Sequence, residues 1–77
     1  MQGWTALALA LRVVQTLPDN LRRERMARGL TQERLAELAD LNPRTVQKIE
    51  AGDITILVTT LLGLRAAIGC DWKRLLG

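Results

Sequence analysis

From residue 31 to residue 52 the apolar positions follow two short helical periods separated by a break. Leu35, Ala36, Leu38 and Ala39 fall on one face of a helix over 32–39. Thr31 supplies the side-chain oxygen that caps its first turn. Arg34 stands where a complete capping box would need Glu or Gln. Asp40, Leu41 and Asn42 form the turn, with the apolar Leu41 placed to plug the gap between two helices. Asn42 is a strong N-cap and Pro43 suits the first position of a second helix, which Gly52 stops. On that second helix Val46 and Ile49 lie within about 60° of each other at 100° per residue. Arg44, Gln47 and Lys48 share the far side, and Pro43 lies at its N-terminal edge. Such a polar face is either ordinary solvated surface or a reading surface for nucleic acid. Arg can pair with guanine O6 and N7, and Gln with adenine N6 and N7.

The flanks are more apolar. Residues 1–17 carry Trp4, Leu7, Leu11 and Val14 at helical spacing, although Leu7, Leu9, Leu11 and Val13 also alternate as a strand would. Ala and Leu favour the helix. This extension either packs over the core or contacts a second copy of the chain. Leu17-Pro18 predicts a break, with a new helix from 18 to about 28. Leu21 and Met26 would face inward and Arg22, Arg23 and Arg28 outward, the arginines as solvated surface or as phosphate contacts. Gly29 caps that helix. Beyond the motif, Thr55 is the expected cap of an apolar helix over 56–68, interrupted by Gly63 and closed by Gly69. Asp71 caps a last helix that Trp72, Leu75 and Leu76 anchor. The expected division is an apolar extension, 1–17, and one domain, 18–77.

Composition narrows the chemistry. With 77 residues, 48% hydrophobic, no Phe or Tyr and two Trp, the core must be aliphatic, which favours packed helices. The lack of aromatic platforms argues against single-strand binding by stacking. A net charge of +3 permits a polyanionic partner without requiring one. One cysteine, Cys70, excludes an internal disulfide, and with no His a zinc site or a Cys/His nucleophile has no ligand set. The apolar extension is too short to span a bilayer and contains Arg12; no basic residue precedes it as in a signal peptide.

From Leu21 to Leu76 the order of features resembles the lambda-repressor/Cro-type helix-turn-helix family, to which the Xre-like regulators belong. The matching positions are Leu21 and Arg25, Gly29-Leu30-Thr31-Gln32, Leu35-Ala36, Leu41, Val46, Ile49-Glu50-Ala51-Gly52, Ile68-Gly69 and Leu75. The resemblance implies an all-α, compact five-helix DNA-binding domain, to which residues 1–17 add a helical segment. It implies that Pro43, Arg44, Gln47 and Lys48 face bases, Pro43 offering apolar contact only. It places Gln32, Asn42 and Thr45 at phosphates, and Arg25 and Glu50 in a structural salt bridge. Two features depart from the family pattern. Asp40 replaces a frequent glycine of the turn, and the pattern is silent on the extension.

The function implied is that of a cytoplasmic, nucleoid-associated transcriptional regulator of bacterial or phage type. It would bind a double-stranded operator as a homodimer and act as a repressor, without a cofactor and without membrane attachment. The rival is the antitoxin of a toxin–antitoxin pair, which would also bind a toxin, and a third reading is a protein-binding adaptor. No nucleophile–base or metal-ligand set suggests an enzyme.

Overall fold

The first helix, α1, spans Gln2–Ala27 without interruption, and Pro18 lies inside it. This corrects the break expected at Leu17-Pro18. A proline within a helix removes one hydrogen bond and crowds the preceding turn. Here the chain continues because Leu17 and Leu21, on either side of Pro18, are both fully buried in the same core. Burying a leucine contributes about 1.5–3 kcal/mol, so two such side chains offset the proline's cost. The extension and the domain therefore share one helix.

The computed structural model describes the backbone of residues 2–53 and 56–77, and the side chains of residue 8 and of residues 15–53 and 56–77. The apolar stripe expected on Trp4, Leu7, Leu11 and Val14, and the cap expected at Thr55, lie outside these.

Among the described residues four shorter helices follow: α2 Gln32–Leu38, α3 Pro43–Glu50, α4 Val58–Ile68 and α5 Trp72–Leu76. Local chemistry sets most of their ends. The side-chain oxygens of Thr31, Asn42 and Asp71 accept from the backbone N–H of Arg34, Arg44 and Arg74 at 3.0, 2.9 and 2.9 Å. Gly69 ends α4 at φ 73°, a left-handed conformation that favours glycine. Asp40 adopts φ 56°, so the α2–α3 turn uses the left-handed geometry that glycine often provides in this motif. Helix α4 begins two residues later than its apolar run and has no side-chain cap.

The core lies where α1, α2, α3, α4 and α5 meet. Leu17, Leu21, Leu35, Ala36, Val46, Ile49, Leu64, Ile68, Cys70 and Leu75 are buried, and Leu41 packs against them from the turn. Two expected core residues, Met26 and Leu38, are exposed. Both lie at the edge of an otherwise apolar stripe, where periodicity alone does not separate rim from interior. Gly63 brings α4 against the end of α2: a Cβ built there would lie 3.5 Å from the Ala39 carbonyl oxygen. Twenty-six residues at about 1.5 Å each make α1 roughly 39 Å long, close to the molecule's greatest extent of 42 Å. Among the described residues no helix is long and apolar enough to cross a membrane.

Helix α5 is fastened to α1 by polar contacts as well as by Leu75. Asn20 Nδ2 donates to the Leu75 carbonyl at 3.0 Å and Arg23 Nη2 to the Arg74 carbonyl at 2.8 Å. Beneath them lies Glu24, whose side chain is fully buried. Arg23, Arg28 and Arg74 each donate to its carboxylate at 3.1 Å. Burial pushes the Glu24 carboxyl up, but the hydrogen bonds from Arg23, Arg74 and Arg28 outweigh it and lower its pKa to about 2. The cover over Glu24 is thus cationic rather than apolar, which is why the carboxylate stays charged.

Candidate nucleic-acid interface

Helix α3 buries Val46, Ile49 and Glu50 and turns its other face outward. Pro43, Arg44, Gln47 and Lys48 are all exposed on that face. Among the described residues, the side chains of Arg44, Gln47 and Lys48 make no hydrogen bond or ion pair inside the domain, so their donors point to solvent. Long polar side chains left unpaired on a helix that is rigidly seated by its opposite face can read base edges in a major groove.

The residues expected at phosphates have different surroundings. Asn42 is exposed, and its Oδ1 is taken by the cap to Arg44, leaving its amide nitrogen outward. Thr45 is half-buried and borders an open cleft of about 360 Å³ between α3 and the start of α4, which Lys48, Asp53 and Ile56 also line. Gln32 is half-buried, and its Nε2 donates to Glu50 Oε1 at 3.1 Å. That bond leaves one N–H and the carbonyl oxygen of the Gln32 amide for another partner.

Glu50, the last residue of α3, is the junction that sets this geometry. Arg25 Nε donates to Glu50 Oε2 at 2.7 Å and Arg25 Nη2 to Oε1 at 2.9 Å. Arg25 Nη1 donates to the Leu30 carbonyl at 2.7 Å, tying in the loop before α2. The hydrogen bonds to Glu50 raise the Arg25 pKa above its ordinary value, and burial opposes them. One carboxylate therefore fixes α1, the α1–α2 loop, α2 and α3 together. The orientation of the exposed face of α3 relative to Gln32 follows from it.

Sequence reasoning did not single out Glu24, Asn20 or Arg74. The Glu24–Arg28 spacing of four residues was a visible signal for one contact. The contacts to α5 bridge 50 or more residues and had none.

A family model described as helix-turn-helix matches residues 21–75 of the chain. Neither the curated proteins nor the solved structures compared with the chain contain a match.

Proposed function

The chain belongs to the lambda-repressor/Cro-type, Xre-like helix-turn-helix family of DNA-binding regulators, and on that premise we propose that it is a sequence-specific repressor acting as a homodimer. The observation that carries this reading is the unpaired, exposed set Arg44, Gln47 and Lys48 on a helix whose other face is locked into the core. In the proposed mechanism α3 lies in the major groove. Arg44 is the principal reader, Gln47 and Lys48 contact neighbouring bases, and Pro43 offers apolar contact. Gln32, Asn42 and Thr45 hold the phosphate backbone and fix the register. Two copies present their α3 helices about 34 Å apart to a near-palindromic operator and occlude it. Such a protein works on the nucleoid, in the cytoplasm of a bacterium or of a phage-infected cell.

Selection of bound duplexes from a random DNA pool tests the proposal. The expected result is a two-fold symmetric motif. A motif without symmetry would remove the homodimer, and no enrichment at all would remove sequence-specific binding.

A further inference from the structure

Besides Arg25, the domain half of helix α1 carries Arg22 and Arg23, and Arg28 follows one residue past its end; the structure separates the three by what their guanidinium groups already hold. Arg23 uses Nε, Nη1 and Nη2 on Glu24, Asn20 and the Arg74 carbonyl. Arg28 holds both the Glu24 carboxylate and the Glu24 carbonyl through Nη1. The Arg22 guanidinium makes no hydrogen bond among the described residues. Its Nε lies 3.7 Å from Glu50 Oε1, an attraction rather than a hydrogen bond, and its side chain is 54% exposed.

That oxygen is the one to which Gln32 donates. Arg22 on α1 and Gln32 at the start of α2 are therefore neighbours around a single atom. The charge around it is unequal. Glu50 brings one negative charge, and Arg25 already answers it with two hydrogen bonds while staying only 13% exposed. Glu33 also acts on Arg25, through charge alone, so Arg22 is the cation of the cluster that no hydrogen bond holds, and it is the part that reaches solvent. Glu50 also lies about 60° from Gln47 around α3 at 100° per residue. The cluster thus borders the exposed face of α3 on its Gln47 side.

We propose that Arg22 is a phosphate-binding residue, held by the Glu50 carboxylate beside Gln32 so that both meet the DNA backbone flanking the groove that α3 enters. The inference rests on the DNA-binding reading above and adds a contact from α1 to it. Glu50 orients Arg22 without neutralising the cluster. Arg23 on α1 and Arg28 just past its end serve Glu24 and do not contact the DNA backbone.

The test is binding of the full chain to its selected duplex and to a scrambled duplex, across roughly 50–200 mM salt. One phosphate contact accounts for about 0.9 in the slope of log affinity against log salt. Arg22→Gln is expected to lower that slope by about this amount per subunit, about 1.8 for the homodimer, and to weaken both duplexes by the same factor. Arg22→Lys should keep the slope, and Arg23→Gln should leave it unchanged. A wild-type slope in Arg22→Gln, or a loss confined to the selected duplex, would overturn the assignment while leaving the DNA-binding reading intact. A wild-type chain that binds neither duplex would overturn both. Should Arg22→Gln fail to fold, methylphosphonates walked along the duplex replace it, with wild type and Arg22→Lys as the proteins. A neutralised phosphate that weakens both proteins at one position beside the Gln32 contact supports the site, and none there refutes it.

Discussion

Arg25 on α1 grips Glu50 at the end of α3 with two hydrogen bonds, 2.7 Å from Nε to Oε2 and 2.9 Å from Nη2 to Oε1. Glu50 is buried and also receives Gln32. Removing Arg25 leaves the carboxylate without its main partner, and breaking such a pair costs about 3–5 kcal/mol. Arg25→Met should lose stability of that order in urea unfolding. The double variant Arg25→Met with Glu50→Leu should recover most of it, because the charge that needs a partner is gone. If the double variant were as unstable as the single one, the loss would come from packing rather than from the unpaired carboxylate.

Glu24 gives stability a defined acid limit. Its pKa is lowered from 4.5 to about 2 in the folded chain. The unfolded state then binds more protons between those values, so stability rises with pH across that window. The contribution should be complete above about pH 4.5 and fall away as pH drops toward 2. Glu24→Gln should lower stability at neutral pH and flatten this acid-side slope. An unaltered slope in that variant would assign the acid sensitivity to another carboxylate.

Under the proposed function, Arg44 separates base reading from folding. It is exposed and its side chain has no partner among the described residues, and substitutions at such sites change stability by about 0.5 kcal/mol or less. Arg44→Ala should therefore unfold like the wild type yet lose about 1–3 kcal/mol in binding, with relaxed preference at one base pair per half-site. An unchanged base preference would move the reading role to Gln47 or Lys48.

Gly63 is a position where the chain holds less stability than its fold allows. The Cβ of an alanine there would meet the Ala39 carbonyl oxygen at 3.5 Å, an ordinary contact, and alanine is favoured over glycine within a helix by about 1 kcal/mol. Gly63→Ala should raise the unfolding midpoint. A fall would show that α4 and α2 approach more tightly than the static distance indicates.

These features differ in how far they can be read from the residues. The ends of α2, α3 and α5 rest on Thr31, Asn42 and Asp71, whose side chains cap their own neighbours, so local sequence suffices. The left-handed turn at Asp40 is suggested instead by the resemblance, which puts a frequent glycine at that position. The course of α1 through Pro18 is not. A proline's local preference is for a break, and the burial of Leu17 and Leu21 that overrides it is a property of the assembled core. Glu24 looks like any surface carboxylate until Arg74 arrives from 50 residues away. At the interface, the polar face of α3 follows from its period. The difference between Arg22 and Arg23, one residue apart, rests on which carboxylate each guanidinium meets.

The polar fastening of α5 bears on how the domain comes into being on a ribosome. Leu75 fills the core, Asn20 needs the Leu75 carbonyl, and Arg74 completes the shell around Glu24. A nascent chain that has delivered only α1 through α4 still lacks all three. Its helix-turn-helix can be outlined by its caps, but α1 keeps an open seam along Leu17, Asn20, Leu21 and Glu24. Closure of that seam therefore waits for residues 74–76 to clear the exit tunnel.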